Sequence, residues 1–478
     1  MSSAPAVAAV QPQALEVAEI LRRDFCGRIL LRDSPEFPHA ARIWNAMVER
    51  TPGVVLQCAD VADVQRAVRA CSNKRAATAV KCGGHSLAGF STCDGGVVID
   101  LSGLRHAEVD SGARTARVGG GCLLGNIDSA TQQAALAFPA GVVSHTGAAG
   151  LILGGGTGWL TRRFGLSCDN VLGFQIVLAD GTLLNVSERE HPDLFWALRG
   201  GGGNFGVVTE FHLKLHPLSS VLISSAWFAE DEAAVVLRHW REFMPEAPDE
   251  LKWNVSLGIA SSSPDFPAAM RGRPALSQTV IWIGDHKTGQ RYLAQANQAG
   301  NPVASGVREL SYLQLQTMAD SEFPHGGRCY TKSGYFKQLE DCSIDIMLQA
   351  LATIPAEKSQ IELAYLGGAC GRVAADETAF GDRSAPFVLN LLGQWNDAEA
   401  DQANVEWVRQ LFRELRPQMT PGVYVNFMSG DEDDRVQEAY RARWDRLLRI
   451  KQSYDPQNFF CRNQNITEKP AQQAPQRA

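Results

Sequence analysis

The residues that can do chemistry gather where glycine is dense. Lys81-Cys82-Gly83-Gly84-His85-Ser86 follows directly on the short apolar run Ala79-Val80. Consecutive glycines let backbone N–H groups converge into a concave anion site, and they let a ligand approach the chain closely. A pyrophosphate needs both, and a histidine placed next to such a nest stands beside the ligand. A tight turn carrying an exposed histidine fits the same residues, and spacing alone leaves the two readings level. A second segment, Phe138 to Gly158, holds seven glycines among small apolar residues, so its backbone can lie against a flat ring or a dinucleotide. A solvated loop would not need the interleaved Val142-Val143 and Leu151-Ile152-Leu153. His145 lies within this segment and either faces a site or bonds to backbone.

A third cluster, Gly200 to Gly206, contains the pattern G-x-G-x-x-G at positions 201–206. That fingerprint binds a dinucleotide only when a strand precedes it and a helix follows, so that the helix N-terminus meets the pyrophosphate. Here the helical Leu194 to Arg199 comes first and the strand-like Val207 to Leu215 follows. A nicotinamide-binding Rossmann unit is excluded by this order.

Short strands and helices position these segments. Val54-Val55-Leu56 and Val97-Val98-Ile99 read as strands, and Val61 to Lys74 has apolar residues at helical spacing. Residues 15–24 read as an amphipathic helix. Phe174 to Leu178 and Leu183 to Val186 flank Asp180-Gly181 as a hairpin, Asp193 to Leu198 makes a helical turn, and Val207 to Leu215 alternates like a strand with one exposed face. After Pro217 the glycine density falls. Strands at 221–228, 251–260, 277–284, 360–367 and 386–395, with helices near 286–298, 340–353 and 397–415, predict an antiparallel sheet with helices on one face. The chain closes with a strand at 421–428, a charged helix from Asp431 to Lys451 and an extended tail. The composition beyond Thr467 predicts disorder. The divisions are an N-terminal segment 1–43, a glycine-rich domain 44–218, a sheet-and-helix domain 219–420, a C-terminal segment 421–466 and the tail 467–478.

A chain of 478 residues exceeds one compact core, and its net charge of −7, without a basic stripe, argues against nucleic acid as a partner. No apolar run reaches the roughly 18 residues of a membrane span, and Met1 to Pro12 lacks signal-peptide features, so a cytoplasmic location is the default expectation. The eleven cysteines show neither a C-x-x-C pair nor zinc-ligand spacing, so no metal site is expected.

Together the segments resemble the berberine bridge enzyme-like branch of the vanillyl-alcohol oxidase, or PCMH-type, flavoproteins. The match takes in Lys81 to Gly89, Gly95 to Leu101, Gly141 to Gly158, Asp193 to Gly200 and Gly203 to Thr209. It continues in Tyr454-Asp455-Pro456, Asn458-Phe459-Phe460 and Asn463-Gln464-Asn465-Ile466, and so spans Trp44 to Ile466. The resemblance implies an α+β fold: a two-subdomain FAD-binding domain, a substrate cap of antiparallel sheet and helices over the isoalloxazine, and a C-terminal segment returning to the first domain. It implies FAD contacts from Lys81, Cys82, Gly83, Gly84, Ser86 and Gly89, then Thr146, Gly147, Gly150, Leu151, Gly154, Gly155, Gly156 and Gly158, and finally Gly206, Val207, Val208, Asn463 and Asn465. His85 occupies the position that bonds to the flavin 8α-methyl. Many members add a cysteinyl link two residues after the glycine that is Gly141 here. Val143 stands at that position, which implies a monocovalent flavin. Thr146 holds the position whose size tunes oxygen access.

The implied reaction passes a hydride from an alcohol, phenol, sugar or amine to flavin N5 and electrons to O2, giving H2O2. A dehydrogenase using another acceptor and a flavin-binding protein without catalysis are the alternatives. A base must take the substrate proton. On a strand at 421–428, Tyr424, Asn426 and Met428 share one face, and Tyr424-Val425-Asn426 matches the Y-x-N motif from which bases come. A tyrosine packing the domain seam is the competing reading. Gln394 and Asn390 share a face of their strand and Glu362 sits on a neighbouring one, so each is a candidate partner. Tyr330 and Lys332 match a recurrent segment without an assigned role. Oligomeric state is not legible.

Overall fold

The computed structural model describes residues 8–264 and 266–468, so most of the predicted tail lies outside the described residues. Four short strands open the chain: β1 (Arg28–Leu31), β2 (Val54–Gln57), β3 (Thr78–Lys81) and β4 (Val97–Asp100), in the order β1-β2-β4-β3. β4 runs parallel to both β2 and β3, which forces a crossover between β2 and β3. The helix Val61–Lys74 makes it. Asp60 caps its start by accepting from the Asp63 N–H at 2.8 Å, and Val64, Ala67, Val68 and Cys71 turn its apolar face inward. The predicted helix at 15–24 runs instead from Pro12 to Leu21, proline suiting a first helical turn. With β1, it adds the segment ahead of Trp44 to this first unit.

The second unit contains β5 (Ala107–Asp110), β6 (Thr115–Gly119), β7 (Leu136–Ala137), β8 (Val171–Val177), β9 (Leu183–Ser187), β10 (Val207–Lys214) and β11 (His216–Pro217). Five of them form an antiparallel sheet, β5-β6-β10-β8-β9, and β8–β9 is the expected hairpin. The exposed face predicted for Val207 to Leu215 is not found. β10 is the central strand, with Val207 packed into the first unit and Val208, Phe211 and Leu213 into the second, which leaves only His212 and Lys214 exposed.

The cap is one antiparallel sheet of seven strands. β12 (Ser220–Ala229), β13 (Leu251–Ile259), β14 (Pro274–Trp282), β15 (Ala304–Ser311), β16 (Arg328–Phe336), β17 (Gln360–Tyr365) and β18 (Phe387–Trp395) order as β15-β12-β14-β13-β17-β18-β16. The helices Ala233–Phe243, His286–Ala296, Asp341–Leu351 and Asp401–Leu415 cover one face around Trp240, Trp253, Met347 and Leu411. β15, β16 and the first of these helices were not anticipated. β15 is a polar exposed edge, and β16 reads as polar (RCYTKSGYF) although all of it is buried.

The strand predicted at 421–428 and the single helix from Asp431 to Lys451 are both absent. Residues 425–427 form one 3₁₀ turn, and Ser429 covers the edge of β16: its Oγ donates to the Thr331 carbonyl at 2.8 Å and accepts from the Thr331 N–H at 3.1 Å. A side chain thus occupies the ladder positions that a further strand would take. The charged helix breaks into Val436–Tyr440 and Trp444–Tyr454 at Arg441, which adopts a left-handed φ of 48° and pairs with Asp382.

Candidate active site

Gly83 and Gly147 touch backbone to backbone. A Cβ on either would lie 2.3 Å from the other's nitrogen, so only glycine lets the loop after β3 meet the segment ahead of the helix Ala148–Leu153. That contact brings together residues 60 apart: His85 Nε2 lies 2.8 Å from His145 Nδ1. Thr146 Oγ1 is a looser neighbour of His85 Nδ1, at 3.4 Å. Trp44 stacks on the His85 ring, and His325 from the loop before β16 joins, so that the three histidines present nitrogens within 4.8 Å of one another. Burial, helped by His145 and His325, pushes the His85 imidazole down to about 3 and keeps it neutral. Local sequence signals reveal neither Trp44 nor His325; chain topology alone brings them here.

Beside His85 runs a row of unused donors. The backbone N–H groups of Gly84, His85, Ser86, Leu87 and Ala88 meet no acceptor among the described residues, and Gly84 holds a left-handed φ of 73° that turns the chain there. Across the domain, Asn463 and Asn465 each bury an unpaired Oδ1, while Asn463 Nδ2 donates to the Gly203 carbonyl at 3.1 Å. Buried polar groups are rarely left unpaired without a ligand to meet them.

Over this row the cap turns a polar face. With Leu251, Trp253, Val255 and Leu257 in the helix-side core, alternation puts Lys252, Asn254 and Ser256 on the other side. The register then aligns Ser256, Glu362, Asn390 and Ser333 in one line across four strands. Glu362 and Asn254 are half-buried, whereas their helix-side neighbours are closed off. Asn390 Nδ2 donates to Glu362 Oε2 at 3.0 Å; burial still raises the Glu362 carboxyl above its usual range, against that hydrogen bond and Lys252. Lys252 has no hydrogen-bond or ion-pair partner among the described residues, and burial, with Arg162 nearby, lowers it to about 7.

Most of the remaining predicted residues also have contacts within the protein. The Lys81 ammonium pairs with Asp100 at 3.1 Å and donates to the Ala40 carbonyl, and the Cys82 thiol donates to the Cys122 carbonyl at 3.2 Å. Ser86 Oγ accepts from the Phe90 N–H at 3.0 Å, and Gly89 abuts Val48. Gly154, Gly155, Gly156 and Gly158 face Asn426, Phe380, Ser167 and Ala140 at distances that exclude a Cβ, whereas Gly150 faces open space. Leu151 accepts from Asn426 through its carbonyl, and Gly206 lies against Val177 and Ile176. Val207 and Val208 commit their side chains to core. Gln394 lies along the sheet from the polar line, its amide donating to the Glu322 carbonyl at 2.8 Å. Tyr424 is buried, and its hydroxyl oxygen accepts from Gly156 N at 2.9 Å and Asn426 Nδ2 at 2.8 Å.

Residues 52–187 match the family model for an FAD binding domain, and residues 423–467 match the model described as berberine and berberine like. The uncharacterised FAD-linked oxidoreductase YgaK of Bacillus subtilis is 32% identical over 447 residues, covering 92% of this chain and 96% of that protein. The chain belongs to the berberine bridge enzyme-like FAD-linked oxidoreductases. Another relative of this flavoprotein, (R)-6-hydroxynicotine oxidase of Paenarthrobacter nicotinovorans, is 28% identical over 92% of this chain and 96% of its own. The solved 6-hydroxy-D-nicotine oxidase of Arthrobacter nicotinovorans superposes with a TM-score of 0.83 at 27% identity, over 93% of this chain and 98% of that one. The expected α+β PCMH-type fold is therefore borne out, and with it an FAD-linked oxidoreductase. FAD suits the residues present: the free N–H row from Gly84 to Ala88 supplies donors for a pyrophosphate, and the unpaired amide oxygens of Asn463 and Asn465 remain as acceptors for a polar ring or ribityl chain.

Proposed function

We propose that this flavoprotein is an oxidase whose FAD is attached once, through His85 Nδ1, and whose substrate proton is taken by Glu362. The 2.8 Å contact between His85 Nε2 and His145 carries the attachment reading, because it occupies one ring nitrogen and leaves Nδ1, with only the 3.4 Å neighbour Thr146, to form a bond. Val143 supplies no thiol for a second one. When bound, the flavin takes a hydride at N5 and returns the electrons to O2 as H2O2. Glu362, held by Asn390 in the middle of the polar line, accepts the hydroxyl or amine proton as the hydride leaves. Tyr424 is a poorer acceptor, since both lone pairs of its hydroxyl already take N–H bonds. Ser256, Asn254 and Asn390 along the same face suit a substrate with several hydroxyl or amine groups, and the name of the hydroxynicotine oxidase relative points to amines.

Acid precipitation tests the attachment. The pellet should stay yellow, a peptide containing His85 should carry the flavin mass, and no cysteinyl flavin should be found. His85→Ala should release flavin into the supernatant. Colourless wild-type pellets would refute the covalent bond, and substrate turnover in air without peroxide would refute the oxidase.

A further inference from the structure

On the sheet face that carries Glu362, β13 presents Lys252, Asn254 and Ser256 in turn. Lys252 is 4% exposed, and no acceptor meets its ammonium among the described residues. A second cation stands beside it. Arg162, 1% exposed in the short helix Thr161–Phe164, donates from Nε to the carbonyl of Leu251, the chain neighbour of Lys252, at 2.7 Å. Its Nη2 donates to the Ala247 and Pro248 carbonyls at 2.9 and 3.2 Å, whereas Nη1 is buried and unpaired. Asp249, whose charge reaches Arg162, is already bound by Arg372, which donates to its Oδ1 at 3.1 Å. The Trp159 indole N–H is another buried donor without an acceptor, on the apolar seam that also takes Ile281, the register partner of Lys252. Two buried cations in each other's field, with donors unused, are stable together only when an anion bridges them or one gives up its proton.

We infer that Lys252 and Arg162 Nη1 bind a carboxylate of the substrate, which makes the substrates hydroxy or amino acids whose oxidised carbon stands at the Glu362 end. The inference rests on Glu362 marking the reacting end, as proposed above. Asn254 and Ala364, its register partner on β17, are both half-buried, so a continuous open surface joins Glu362 to this corner. Asn254 Oδ1, unpaired along that path, accepts from an N–H or O–H of the substrate. Lys252 lies four residues from Ser256, the register partner of Glu362, or about 13 Å along the strand. The long lysine and glutamate side chains shorten that span, which leaves a few bonds between the carboxylate and the carbon that loses hydride. The two cations supply one donor group for each carboxylate oxygen. The FAD pyrophosphate is a poorer occupant, because the N–H row from Gly84 to Ala88 already provides for it. Burial and Arg162 lower Lys252 to about 7, so a bound anion restores a charge that the protein alone holds weakly.

The test uses the FAD-loaded full chain with γ-aminobutyrate, ε-aminocaproate, γ-hydroxybutyrate and ε-hydroxycaproate, and with their primary amides as uncharged twins. Binding is read from the change in the flavin band, which needs no turnover, and turnover from peroxide. At least one carboxylate should bind at least about tenfold more tightly than its amide, the worth of a hydrogen bond to a charged group. Its Kd should rise as the pH climbs through about 7, where Lys252 loses its proton. Lys252→Met should remove both the preference and the pH dependence while the flavin spectrum is retained. Lys252→Arg should keep the preference and lose the pH dependence, since a guanidinium stays charged. Carboxylates that bind no better than their amides, or an undiminished preference in Lys252→Met, would overturn the inference. A wild-type Kd that ignores pH near 7 would overturn it without any variant. Equal weakening of carboxylates and amides in Lys252→Met, with a shifted flavin potential, would assign the charge to the reduced flavin and overturn it too. Lys252-dependent carboxylate binding without peroxide would instead count against the oxidase reading, a result distinct from peroxide formed with no preference for carboxylates.

Discussion

Glu362 and Tyr424 differ in what their oxygens already hold. Glu362 receives one hydrogen bond and keeps part of its surface open, whereas the Tyr424 hydroxyl receives two and is buried between Phe380 and Phe427. Glu362→Gln should therefore slow anaerobic flavin reduction by about 10²–10⁴, with flavin content unchanged. Because burial raises the Glu362 carboxyl, ionised base is lost as the pH falls through a value above the ordinary glutamate range. The reduction rate should fall on the acid side there, and the inflection should vanish in Glu362→Gln. Tyr424→Phe should leave the reduction rate within a few-fold and cost about 1–3 kcal/mol in chemical denaturation, because the Gly156 N–H loses its acceptor in a buried place. A large rate loss in Tyr424→Phe beside a fast Glu362→Gln would reverse the assignment.

At the scale of elements, two glycines of one short helix segment give opposite expectations. Gly147, the N-cap of the helix Ala148–Leu153, presses on the nitrogen of Gly83, and the two backbones cannot move apart without separating His85 from His145. Gly147→Ala should lower the flavin retained after acid precipitation severalfold. Gly150, inside the same helix, faces nothing within 4 Å, so Gly150→Ala should keep full flavin content and gain about 0.5–1 kcal/mol from helix propensity. Equal flavin loss in both variants would mean that the segment contacts the cofactor along its whole length.

For the whole molecule, cap and FAD-binding domain are fastened by a buried ion pair. Arg383 forks onto Asp169 with bonds of 2.6 and 2.9 Å, its side chain 5% exposed against 8% for the carboxylate, and Asp169 also accepts from the Leu166 N–H at 2.9 Å. Removing one charge of such a pair leaves the other unpaired, at a cost of about 3–5 kcal/mol. Asp169→Asn should lower the denaturation midpoint accordingly, and loss of flavin should accompany unfolding of the seam. A loss below about 1 kcal/mol would mean that the guanidinium finds water or another partner.

What the sequence by itself determined was local. Apolar spacing set the Val61–Lys74 helix, Asp180-Gly181 set the hairpin, and the glycine runs marked the loop that carries His85, because each of these acts over a few residues. Tertiary structure decided the rest. β16 looks polar because its partners, Ser429 and Asp431, arrive from about a hundred residues away, and the 421–428 strand fails because Ser429 meets the sheet edge in its place. The two N–H groups that meet the Tyr424 hydroxyl, from Gly156 and Asn426, are likewise brought to it by the tertiary fold. His145, ambiguous along the chain, and His325, unmarked in it, meet His85 only through the tertiary fold. Contacts between residues 60 to 240 apart in sequence leave no periodicity to read, since folding sets their distances and local propensity does not.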